Sequence, residues 1–135
     1  MEGQCQCGTI RFTTPLPKPI KMYVCHCLSC RAQSSSAFGI SASFPAFSLP
    51  ESNAADIGVY TYITQSGREK KCFFCKHCGS RIMHSSVGRK YVNVKGGCLH
   101  GLDKELLSTA CHIWTKRAIT PIPEGVEQYE EEPLD

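Results

Sequence analysis

The residues in this chain with the most chemical potential are its cysteines, ten in 135 residues. Seven of the ten fall into tight clusters: Cys5 and Cys7 as CxC, Cys25, Cys27 and Cys30 as CxCxxC, and Cys75 and Cys78 as CxxC. Cysteines two apart in an extended segment point to the same face, so both thiolates can reach one ion, whereas a disulfide between them would strain the backbone. Metal binding is therefore the expected chemistry. Tetrahedral zinc takes four protein ligands in a structural site and three in a site that leaves a position open. The CxC and CxxC together supply four thiolates, leaving the CxCxxC as three with an open fourth position. The alternative is a ribbon-like site of Cys27, Cys30, Cys75 and Cys78. That pairing needs an unusually long loop, residues 31–74, and leaves Cys5, Cys7 and Cys25 unused.

Composition sets the context. Fifteen Lys and Arg against twelve Asp and Glu leave a net charge of +3, and the acids gather in the tail "EGVEQYEEEPLD". No basic stripe stands out, so nucleic acid is not an expected partner. The start "MEGQCQCGTI" has no signal-like apolar run, and no stretch approaches the eighteen or so apolar residues of a membrane span. A cytoplasmic protein without membrane contact is expected, and its reducing surroundings also argue against disulfides.

The elements that must position these cysteines read as β-structure punctuated by knuckles. Strands are expected in "GTIRFTT", "SAFGISASF", "GVYTYITQSG", on both sides of "CFFCKHCG", in "KYVNVKGG" and in "STACHIWTKRAI". Proline-rich loops separate them at "PLPKPIK" and "PAFSLPESNAAD". Only short helices are expected, one or two turns after Cys27 and one in "GLDKELLS" capped by Asp103. The fold class is mainly β: a small antiparallel stacked-sheet domain stapled by zinc. Residues 1–135 form a single domain in this reading, with 121–135 an irregular acidic tail.

Taken in order, "GQCQCG", "CHCLSC" and "FFCKHCGS", followed by "GG" and "HIWTKRA", resemble the glutathione-dependent formaldehyde-activating enzyme family, which includes centromere protein V. The resemblance runs from Gly3 to about Gln128. It implies a β-rich fold with two zinc ions, a structural one on Cys5, Cys7, Cys75 and Cys78 and a catalytic one on Cys25, Cys27 and Cys30. It also implies the chemistry: a zinc-dependent carbon–sulfur lyase or thiol–aldehyde adduct enzyme, with glutathione or another sulfur-bearing conjugate as its small-molecule partner. A free thiol is mostly protonated at neutral pH, whereas a zinc-bound one is a thiolate. The other expectation for the same residues is a non-catalytic zinc-stabilised binding module, in which a protein ligand closes the three-cysteine site.

The remaining polar residues carry weaker signals. "RAQSSSAFG" after the three-cysteine cluster is the expected pocket wall, with Arg31, Ser34 and Ser36 as substrate contacts. His26 alternates with two ligand cysteines and is expected to point away from the ion. His77 reads as an exposed spacer, and His84, His100 and His112 as structural histidines. Cys72, Cys98 and Cys111 lack partners at ligand spacing and read as small core residues, with Cys72 close enough to Cys75 to compete as a ligand. Trp114, Lys116 and Arg117 are candidates to line the site.

Overall fold

The structure, a computed structural model, describes residues 1–133. It is mainly β, with two antiparallel hairpin strands, β1 (Glu2–Gln4) and β2 (Arg11–Thr13), set against one larger sheet. The larger sheet contains β3 (Lys21–Cys25), β4 (Gly39–Pro45), β5 (Ile57–Ile63), β6 (Glu69–Cys75), β7 (Arg81–Ser86), β8 (Tyr91–Lys95) and β9 (Cys111–Ile113). Their order across it is β5-β6-β7-β8-β4-β3-β9, and every pairing is antiparallel except β3 with β9.

The alternation along these strands decides which face is buried. Met22, Ala42, Val94, Met83 and Phe73 pair across β3, β4, β8, β7 and β6 in one row, and they face the core with Phe44, Val24 and Val92. The β1–β2 hairpin covers this face with Ile10 and Phe12. Fully burying an aliphatic or aromatic side chain contributes about 1.5–3 kcal/mol. The opposite row reads Lys21, Ser43, Asn93, His84, Cys72 and Tyr60, strand by strand. One face of the sheet is thus a core wall and the other is a polar floor.

The two short helices form where expected. In α1 (Leu28–Ser34) the cap is Cys27 itself, whose sulfur accepts the Cys30 amide N–H at 3.3 Å. In α2 (Lys104–Ser108) the Asp103 carboxylate accepts the Leu106 amide N–H at 2.7 Å.

Three segments differ from the sequence-based expectation. Only Arg11–Thr13 of "GTIRFTT" is a strand, because residues 5–10 fold around the Cys5 sulfur, which accepts the Ile10 amide N–H at 3.4 Å. "STACHIWTKRAI" is extended only over Cys111–Ile113, since Trp114 takes a left-handed conformation at φ 57° and a 3-10 turn follows at Thr115–Arg117. The acidic tail is irregular but docked: the Glu127 carbonyl accepts the His112 amide N–H at 2.9 Å and the Tyr129 amide donates to the His112 carbonyl at 2.9 Å. The tail thereby covers the edge of β9.

Candidate metal centres and cavity

The fold brings the CxC and the CxxC together from opposite ends of the sequence. The sulfurs of Cys5, Cys7, Cys75 and Cys78 all lie within 4.8 Å of one another, with Cys7 at 3.6 Å from Cys5 and 3.8 Å from Cys75. Four thiolates bound at about 2.3 Å to one tetrahedral ion stand about 3.8 Å apart, so these spacings fit a shared metal. Local hydrogen bonds aim the sulfurs. Cys75 accepts the His77 amide N–H at 3.4 Å, and the chain reverses at Gly79, whose φ of 77° suits glycine and whose N–H reaches the Cys75 carbonyl at 2.8 Å. Hydrogen bonds from the Ser80 hydroxyl and amide push the Cys78 thiol down to about 5, and burial pushes Cys75 up to about 11. This cluster is closed, with four thiols and no further ligand required.

Cys25, Cys27 and Cys30 make a second group with sulfurs within 4.8 Å of one another. Cys25 ends β3, Cys27 caps α1 and Cys30 lies on its first full turn, so one strand-to-helix corner presents all three. Cys25 and Cys30 are buried. Their thiols, hydrogen-bonded to Cys27, hold its sulfur down at about 2, while the same bonds push Cys25 well above the ordinary thiol range. The cluster therefore favours anionic sulfur at the helix cap, as a cation site does. No other His or Cys among the described residues completes it: His26 turns away, as its alternation with the cysteines predicts, to the buried His112, ring nitrogens 3.0 Å apart, and the Cys72 sulfur is outside both groups.

This second cluster opens on a cavity of about 500 Å³ above the polar face of the sheet. Among the described residues, five cationic side chains line it, Lys21, Arg68, Lys70, Arg89 and Arg117, together with the carboxylate of Glu132. Tyr62 lines it too, its hydroxyl pushed up to about 12 by burial and by the nearby Cys72, Cys30 and Cys27 sulfurs. His84, also on this wall, is 95% buried, and burial with the Lys95, Lys70 and Arg81 charges keeps its ring neutral.

The chain matches the sequence model of the glutathione-dependent formaldehyde-activating enzyme over residues 1–117. It belongs to that family. Among solved structures, a Rhodobacter sphaeroides protein from a structural genomics programme is similar in fold, with a TM-score of 0.62, 23% identity, and coverage of 83% of this chain and 99% of that one. A comparison with curated proteins finds no match. Family membership connects the chain with thiol and formaldehyde chemistry, and the two cysteine groups are where it can hold metal ions. No helix among the described residues is long and apolar enough to cross a membrane.

The residues expected to contact substrate lie elsewhere. Ser34 and Ser36 bond each other at 2.9 Å and both donate to the Phe38 carbonyl, closing the end of α1. They line a second cavity, of about 690 Å³, on the other side of that helix. Arg31 lines neither cavity. Trp114 and Arg117 do line the main cavity, whereas Lys116 pairs with Glu131 in the tail. Sequence reasoning missed Tyr62, Lys70 and Asn93. The signal for Asn93 was the alternation in "YVNVK", where polar residues at every second position mark a floor and not a solvated surface, whereas Tyr62 and Lys70 join it only through the pairing of β5 with β6.

Proposed function

We propose that the protein is a zinc-dependent carbon–sulfur lyase that makes or breaks a thiol–aldehyde adduct. In this reading Cys5, Cys7, Cys75 and Cys78 hold a structural zinc, and Cys25, Cys27 and Cys30 hold a second zinc whose fourth position receives the substrate thiol. The observation that carries it is the placement of a three-thiol cluster, uncompleted by any other protein ligand among the described residues, at a cavity with five cations. Zinc bound there would hold the incoming sulfur as a thiolate beside the aldehyde carbon.

The protein's own residues supply the rest. Adduct formation makes a C–S bond, moves the carbonyl π pair onto oxygen, and takes the thiol proton from sulfur to that oxygen. Arg117, Arg68 and Arg89 are placed to receive the carboxylates of a substrate such as glutathione by charge-assisted hydrogen bonds. The Tyr62 hydroxyl, kept protonated beside the sulfurs, is a donor toward the developing oxygen.

The test is exchange between free glutathione, formaldehyde and their hydroxymethyl adduct, followed by NMR with zinc-loaded protein. Exchange faster than the uncatalysed background, lost in Cys27→Ser and weakened for glutathione by Arg117→Gln, is the expected result. No acceleration across a panel of thiols and aldehydes, with two zinc ions that ignore added thiol, would make the chain a zinc-stabilised binding module instead.

A further inference from the structure

Lys95 ends β8 with its ammonium nitrogen buried and without a hydrogen-bond partner. A cation withdrawn from water without a counter-charge is expensive, so a buried ammonium points to an anion that it balances. Its surroundings name the anion. Lys95 stands opposite Ser41 in β4, and two residues before Ser41 is Gly39, which pairs with Cys25 and lies against Cys30. Lys95 and Gly39 thus lie on the same face of the sheet as next neighbours, and Cys30 packs on Gly39. Lys95 lines the second cavity together with Gln33, the α1 residue that faces both cavities, and is not among the residues that line the main one.

The charges of that cluster state what it lacks. Three cysteinates around a divalent cation leave one net negative charge, and a fourth thiolate from outside makes two in a partly buried place. Such a site resists its own substrate unless a fixed positive charge stands nearby. Arg81, whose guanidinium also has an unpartnered nitrogen, is held over the Tyr60 ring at 5.6 Å.

We infer that Lys95 is a positioning residue whose charge, delivered beside Cys30, allows the three-cysteine metal site to accept an external thiolate. It touches no substrate. The inference rests on the proposed reading of that site as a thiol-binding metal centre, and it adds the group that makes a fourth anionic ligand tolerable.

The experiment is titration of the cobalt-substituted protein with glutathione and separately with 2-mercaptoethanol, followed by the sulfur-to-cobalt charge-transfer absorption, in wild type, Lys95→Gln and Lys95→Arg. Lys95→Gln should bind both thiols about 10- to 100-fold more weakly, the size expected for a unit charge acting at close range through a partly polar medium, and Lys95→Arg should restore most of the affinity. Far-UV circular dichroism reports that the variants are folded. If the glutamine variant folds but loses cobalt from the three-cysteine site, and arginine restores it, the same role is supported. Equal thiol affinity in wild type and Lys95→Gln overturns the inference while leaving the reading of the site intact. A loss confined to glutathione also overturns it, because Lys95 would then be reading the carboxylates. A wild-type protein that shows no response to either thiol defeats the thiol-binding reading itself, and this inference with it.

Discussion

Gly39 and Cys30 touch where β4 meets α1: a β-carbon on Gly39 would stand 3.1 Å from the Cys30 β-carbon and 3.5 Å from its sulfur. Because Gly39 also pairs with Cys25, this contact fixes two of the three clustered sulfurs relative to each other. Gly39→Ala inserts a methyl group into a space tighter than ordinary contact. Overpacking of this kind costs about 1–3 kcal/mol, here discharged by moving Cys30. The expected outcome is a folded protein with a melting temperature a few degrees lower that keeps one metal ion and binds the second at least tenfold more weakly, an estimate of about 1.4 kcal/mol. Elemental analysis after dialysis against a mild chelator checks it.

The two cysteine groups should fail differently. The four-cysteine group joins the first loop to the β6–β7 turn, so a metal held there would contribute directly to folding, on the order of 10 kcal/mol in small zinc domains. Cys78→Ser is expected to leave a largely unfolded or aggregated chain. The three-cysteine group spans one strand-to-helix corner, so Cys27→Ser should remain folded, with the serine hydroxyl still able to cap α1, and hold no second ion. Circular dichroism and metal content measured on the two variants side by side decide between this and equal collapse, which would mean that both sites are structural.

Much of this was legible in the sequence. The spacing of CxC, CxCxxC and CxxC favours a four-plus-three division of the cysteines over a ribbon-like set, and the structure brings together the same two groups. The mainly β fold was legible for a similar reason: Met22, Val24, Ala42, Phe44, Val92 and Val94 alternate with polar residues. The cavity was not legible in the same way. Tyr62, Lys70, His84 and Asn93 meet only because β5, β6, β7 and β8 pair in a particular order and register, and that information is non-local. The serines after Cys30 line the second cavity and not the one the cysteines open on, and their hydroxyls are spent on carbonyls at the end of α1. The tail is irregular over its described residues, as its composition predicts, but that composition says nothing of the backbone groups it lends to β9.

Asp56 gives a dependence on pH. Its carboxylate accepts from the Asn53 amide at 3.0 Å and meets the His77 ring nitrogen at 2.6 Å, and its carbonyl accepts the Lys76 amide N–H at 2.8 Å. Asn53 also donates to the Thr9 carbonyl, so one short segment braces both arms of the four-cysteine group. The Asn53 and His77 contacts hold the Asp56 carboxyl below its ordinary value. A group depressed on folding stabilises fully above its unfolded pKa and loses that contribution as pH falls through the folded one. The difference in melting temperature between wild type and Asp56→Asn should therefore be constant from neutral pH down to the ordinary carboxylate range, and vanish below it. A gap that persists at the lowest pH would assign the effect to packing.

The tail ties the cavity rim to the sheet. Besides the two backbone bonds to His112, the Trp114 amide donates to the Glu131 carbonyl at 3.1 Å and the Thr115 amide to the Tyr129 carbonyl at 3.1 Å. Glu127 adds an ion pair with Lys21 at 2.9 Å, across an exposed surface where such pairs contribute about 0–1 kcal/mol. The backbone bonds matter more, because they fix the left-handed turn at Trp114 and the 3-10 turn that carries Arg117 into the cavity. Truncation after Gly125 should leave the sheet and both cysteine groups in place while freeing that rim. The expected signature is full metal content, a fall in stability of about 1–3 kcal/mol, and a several-fold rise in KM for a carboxylate-bearing thiol without a matching loss in kcat. If the tail were a passive extension, KM would not move, and the Glu127→Gln single variant would behave like the truncation.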